Sequence, residues 1–382
     1  MAMSYLSVDE LQKILTRDVF HYARDRKKAA GRALGTLVEV ITFYTLKSWG
    51  LGEYVAIERS LPEYANHEIT HNVEYSLHPC SKVAAVEFSV AGAPITTAKI
   101  LRKCGAVAAG LGEIQVRSNQ LLSKSGVLRN ACNLGDLPGG FVLANLAAIE
   151  KAKYKVDVCV LRQTPFAVFE CKRVGIEEGN KKGPQTIEKA KQGAYVARTI
   201  SSLQKIRLND GKIGGVIQLP SGELLSGNYA AMLDEMISSD RKDLLRDFVM
   251  TVGVVSNHGN WFTSTNHNKE LKVLAQSYDW LLFLTDAGLA EFVSDLLLKP
   301  RDELRCVGQA FLASYTGQTA CNRFTKVKMD LAAHVALERY FAANLGRVEA
   351  WYNVITPKAR RLGGLRQAVE TLAGKNWEEI RR

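Results

Sequence analysis

A mixed α/β fold with a mainly helical C-terminal part is what this sequence predicts, and three stretches carry the prediction. Residues 154–173 hold two apolar runs of strand length, rich in Val and Phe, joined by a tight connection at Gln163-Thr164-Pro165. Residues 248–298 alternate strand-like and helix-like patterns: Phe248–Val255, Lys269–Gln276, Trp280–Leu284 and Ala287–Leu298. Residues 31–49 place Leu34, Leu37, Val38, Ile41 and Tyr44 at helical spacing. A β-α-β-α order of this kind builds a mixed central sheet flanked by helices.

Taken in order, Ser7 and Glu10 form a capping-box pattern that opens a helix through about Arg17. The basic cluster Arg24, Arg26, Lys27 and Lys28 leads into the 31–49 helix, which Gly50 and Gly52 close and which carries Glu39 at its middle. The alternation of Ile69, His71, Val73, Tyr75 and Leu77, and the run Val83–Val90, predict strands. Gly135–Gly140 reads as a loop, and Phe141–Ile149 as a helix that enters a hairpin formed by the two runs of 154–173. A polar Gly-rich loop follows Lys172. A helix is expected next, from about Gln185 to Gln204, with Ile187, Ala190, Ala194, Ala197, Ile200 and Leu203 on one face. Lys299-Pro300 marks a boundary between residues 1–300 and a basic, mainly helical region, 301–382.

The chain has 382 residues, 47% of them hydrophobic, and a formal charge of +11. That is ample for a packed core, and the basic excess favours a polyanion, nucleic acid first. Residues 172–205 carry eight basic and three acidic residues, and 301–382 fourteen basic and eight acidic. Seven scattered cysteines with no Cys-x-x-Cys spacing argue against a disulfide framework or zinc ribbon and fit a reducing cytoplasm. No signal-peptide pattern opens the chain and no run stays apolar for the ~18 residues a membrane span needs, so no membrane partner is expected.

Alternation along a strand puts Glu170 and Lys172 on one face of the second run, with Asp157 on the first. Buried charges of this kind are costly unless they pair or hold a metal. Asp157, twelve intervening residues and Glu170-Cys171-Lys172 together resemble the PD-(D/E)xK nuclease signature, and type II restriction endonucleases in particular. The resemblance covers roughly residues 31–205; Asp210-Gly-Lys212, Asp240-Arg-Lys242 and Glu270-Leu-Lys272 match the second half alone, but only Glu170-Cys171-Lys172 has the right surroundings. Val156 departs from the pattern, where proline is usual.

The resemblance implies a restriction-endonuclease-like core in residues 1–300. Asp157 and Glu170 would then be Mg²⁺ ligands, Lys172 the residue that orients or activates water, and Glu39 an accessory ligand. Lys189 or Gln192 loosely matches a further family position on the following helix. It further implies a homodimer cutting double-stranded DNA at a specific short sequence, with Lys181, Lys182, Lys189, Gln192, Arg360 and Arg361 as candidate DNA contacts. A repair or recombination nuclease, and a DNA-binding protein without catalysis, are the neighbouring alternatives. His67-Glu68-Ile69-Thr70-His71 matches the zinc-peptidase pattern His-Glu-x-x-His, but β-favouring residues and the lack of a third ligand weigh against it. His258, Asn260, Asn266 and His267 are too closely spaced for a His-Asn-His nuclease, and Lys181-Lys182-Gly183 lacks a phosphate-loop frame, so no nucleotide cofactor is expected.

Overall fold

The computed structural model describes residues 8–22, 25–64, 72–173, 193–210, 212–256, 269–315 and 322–382. It is mixed α/β, with four sheets among the described residues in place of the one central sheet expected. The largest sheet has six strands: β1 (Val55–Arg59), β2 (Val73–Leu77), β8 (Ala167–Arg173), β9 (Met250–Ser256), β10 (Trp280–Leu284) and β11 (Tyr352–Thr356), hydrogen-bonded in that order. Pairing is antiparallel from β1 through β8, parallel from β8 through β10, and antiparallel again at β11. Every residue of β9 and β10 is buried. Their near-continuous apolar sequences suit parallel strands covered on both faces.

Helix α1 (Arg26–Ser48) covers one face. It starts at Asp25, whose carboxylate accepts the Lys28 N–H at 3.0 Å, so Arg26, Lys27 and Lys28 of the basic cluster lie in its first turn, while Arg24 falls outside the described residues. Leu34, Leu37 and Ile41 pack in one core with Phe169, Cys171, Val252, Val254, Leu282 and Leu284. Each such fully buried side chain contributes about 1.5–3 kcal/mol. Thr42 and Thr45 bury their hydroxyls by donating to the Val38 and Ile41 carbonyls, at 2.9 and 2.8 Å. On the opposite face, helix α2 (193–200) places Ala194 and Ala197 against Val255, Leu281 and Phe283. It ends before Gln204–Arg207, which is a strand; the expected helix through Gln204 is therefore shorter, and its 185–192 part lies outside the described residues.

The second sheet contains β3 (Cys80–Ser89), β4 (Gln115–Val116), β5 (Cys132–Leu137), β6 (Gly140–Glu150) and β7 (Lys153–Arg162), in the order β3-β7-β6-β5-β4. Two expectations change here. Phe141–Ile149 is a strand, not a helix: it pairs with β5 on one side and β7 on the other, and a short apolar run does not distinguish the two states. The 154–173 hairpin does not form. β7 pairs with β3 and β6, whereas β8 crosses into the six-stranded sheet to pair with β2 and β9. Val156 and Val158 face the second sheet's own core, while Cys159 and Leu161 meet Ala56 of β1.

The 301–382 stretch is interwoven with the rest. β11 extends the six-stranded sheet, and helix α3 (Leu331–Ala343) packs on α1, with the Tyr44 and Phe341 rings 5.8 Å apart. No helix of the described residues is long and apolar enough to cross a membrane.

Candidate active site

Alternation in β8 sends Phe169 and Cys171 toward α1 and Val168, Glu170 and Lys172 the other way. Lys172 Nζ lies 3.1 Å from a Glu170 carboxylate oxygen and 3.7 Å from one of Glu74, on β2. Glu170 is 2% exposed. Its burial depends on Gly193 at the start of described α2: a Cβ there would stand 2.6 Å from the Tyr278 hydroxyl and 3.2 Å from Glu170 Cγ. The missing side chain lets the helix close over the carboxylate.

A second ammonium completes the cluster. Lys326 is 5% exposed, and its Nζ lies 3.2 Å from both Glu39 and Glu58 and in direct contact with Glu74. Its loop is anchored from the other side by Asn130, whose Nδ2 donates to the Lys326 carbonyl at 2.9 Å. Glu39 enters from α1, where the Tyr75 hydroxyl donates to its backbone carbonyl at 2.7 Å and so locks helix to strand. Glu58 stands across from Glu74, between the paired positions Ile57↔Tyr75 and Arg59↔Val73. Like charges facing each other across a sheet repel, and the Lys326 ammonium offsets that repulsion. Glu58 also adopts φ 53°, a left-handed conformation uncommon for a non-glycine residue. Burial raises the Glu39 pKa, Lys326 opposes that rise, and Glu58 adds to it.

Four carboxylates from α1, β1, β2 and β8 thus gather around two ammonium groups. Glu39, Glu170 and Lys172 of the sequence-predicted set belong here; Asp157 does not share their sheet. Its carboxylate is 2.5 Å from Lys82 Nζ on β3, because β7 lies inside the second sheet. Sequence reading missed Glu58, Glu74 and Lys326. Glu74 was within reach, as the one acid in the Val73–Leu77 alternation; Lys326 has no local signal, since only tertiary folding brings it to Glu39.

Among the candidate DNA contacts, Lys181, Lys182, Lys189 and Gln192 lie outside the described residues, as do His67–His71 and His258, Asn260, Asn266 and His267. Arg360 and Arg361 are exposed at the start of helix α4 (Leu362–Ala373), with Arg360 2.5 Å from Asp234. A groove that no sequence signal marked runs between Asn119, Gln120, Arg129, Asn322, Arg323 and Lys328. Its Lys328–Asp330 wall pairs with Val127–Arg129 and continues directly from Lys326.

Compared with protein-family models, curated proteins and solved structures, the chain matches none.

Proposed function

We propose that this chain is a Mg²⁺-dependent endonuclease of the PD-(D/E)xK type. It would hydrolyse phosphodiester bonds of double-stranded DNA at a specific short sequence, as a homodimer in the cytoplasm. The observation that carries the reading is the convergence of Glu39, Glu58, Glu74 and Glu170 with Lys172, which follows Glu170 by two positions on the same strand face. One helix acid, two strand acids and a strand lysine are the set the sequence resemblance calls for, with Glu74 in the place first assigned to Asp157.

The donors match magnesium in kind, but no three of the four carboxylates lie within 4.8 Å of one another in the structure, so binding would have to draw them together. Carboxylate oxygens are hard ligands, and the Lys326 ammonium already stands among three of them as a cation does. Glu74 and Glu170 would hold the ion, with Glu58 and Glu39 beside them. Bound there, it supplies charge neutralisation at the phosphodiester and lowers the pKa of its water. Lys172, between Glu74 and Glu170, orients the attacking water by donating to it, and Glu170 accepts from that water. Gly193 of α2 and the Tyr278 hydroxyl stand against Glu170 and keep bulk water from it. The groove holding Arg129, Arg323 and Lys328 suits the phosphate backbone, and neutralising phosphates there would release counterions.

The test is incubation of the purified chain with phage-genome DNA. Discrete fragments with Mg²⁺ and intact DNA with EDTA are expected; intact DNA in both lanes would sink the reading.

A further inference from the structure

A second cluster of metal-binding side chains lies at the seam between the two large sheets, on different elements from the acidic site. Glu53 belongs to the single turn Gly52–Tyr54 that leads into β1, Cys80 opens β3, and Cys159 lies in β7. One ligand atom from each lies within 4.8 Å of the other two. The strand register explains the convergence. Cys80 is opposite Leu161 and Cys159 opposite Lys82, so the two cysteines are diagonal neighbours on the shared face, with their sulfurs within 4.8 Å of each other. Asp157, two residues before Cys159 on that face, lies near Glu53 and is held by Lys82 at 2.5 Å. Cys159 is buried, while Cys80 and Glu53 are half-buried, which leaves a side open for an ion to enter.

We propose that Glu53, Cys80 and Cys159 form a zinc site joining the two sheets. Two sulfurs and one carboxylate oxygen match the thiolate-bearing sets that zinc selects. Magnesium takes oxygen ligands, so the two clusters sort metals by donor type. Tetrahedral zinc bonds of about 2.3 Å to sulfur and about 2.0–2.2 Å to oxygen place neighbouring donors about 3.6–3.8 Å apart, a contraction of about 1.2 Å or less from the 4.8 Å within which they now lie. Binding forms two Zn–S bonds and one Zn–O bond, and the two thiol protons go to solvent. A water occupies the fourth position.

The test uses the full chain, stripped with a chelator and titrated with Co²⁺ as a spectroscopic stand-in for zinc. One equivalent should produce a thiolate-to-metal charge-transfer band that Zn²⁺ abolishes and that excess Mg²⁺ leaves unchanged. Cys80→Ser and Cys159→Ser should each weaken binding by about 100-fold or more and reduce the band, while Glu53→Gln keeps the band and weakens binding about tenfold. Circular dichroism of each variant guards against loss of fold, and Glu53→Gln leaves both thiols in place if a cysteine variant misfolds. Absence of the band in the wild type would overturn the proposal, as would a band unchanged in the folded Cys80→Ser/Cys159→Ser double variant.

Discussion

The acidic end of the six-stranded sheet and the Asp157 seam are built from similar charges but used differently. At the first, four glutamates from four elements surround Lys172 and Lys326, and every donor is oxygen or nitrogen. At the second, Asp157 and Glu53 share one lysine, Lys82, and two cysteines stand in the same group. The first arrangement stores negative charge that only cations offset. The second carries the same two carboxylates per lysine on half the scale and adds soft sulfur donors. Position in the sheets sets this difference, not proximity in sequence: Asp157 and Glu170 are close along the chain, yet β7 and β8 join different sheets.

The largest effect should come from the first cluster. Glu170→Gln or Lys172→Ala should reduce Mg²⁺-dependent cleavage by on the order of 10³-fold, measured by single-turnover assay, while circular dichroism stays native. Near wild-type rates in both would show that this end of the sheet is structural. Lys326→Ala removes the charge that holds Glu39, Glu58 and Glu74 together. It should destabilise the metal-free chain by on the order of 3 kcal/mol in urea unfolding, with Mg²⁺ restoring much of the loss. An equal loss with and without Mg²⁺ would separate Lys326 from any metal position.

Gly193→Ala tests the same cluster from the helix side. The new Cβ meets Tyr278 and Glu170, so cleavage should fall about 10²-fold with a smaller change in DNA binding, read from single-turnover rates and fluorescence anisotropy. Unchanged rates would mean that the helix relaxes without moving Glu170.

A carboxylate remote from both clusters sharpens the contrast. Burial acts to raise the Glu338 pKa, but the His334 ring nitrogen, 3.2 Å away, and Lys47 outweigh it and hold it down at about 2. A carboxyl depressed in the folded state stabilises above its unfolded pKa of about 4.3 and loses that stabilisation as pH falls through about 2. Glu338→Gln should therefore lower Tm modestly at pH 6, with the gap to wild type closing progressively below about pH 4. A gap that persists to pH 2 would assign the loss to packing.

Much of the scaffold was legible in the sequence because it rests on local periodicity. The helical spacing of Leu34 to Tyr44, the strand at Trp280–Leu284 and the paired projection of Glu170 and Lys172 all follow from spacing within one element. What failed needed partners. Phe141–Ile149 is a strand because β5 and β7 flank it, and Asp157 left the expected hairpin because β3 and β6 claimed its strand. Lys326 shows the same limit: nothing in Thr325-Lys326-Val327 announces a buried lysine, and its burial makes sense only beside carboxylates from three other elements.

The most direct measurement compares Glu74→Gln with Asp157→Asn in the same Mg²⁺-dependent cleavage assay. With Glu74 as the partner of Glu170, Glu74→Gln should lose on the order of 10³-fold in rate, while Asp157→Asn stays within about threefold of wild type. Loss in Asp157→Asn with Glu74→Gln active would contradict the account and return the catalytic role to β7.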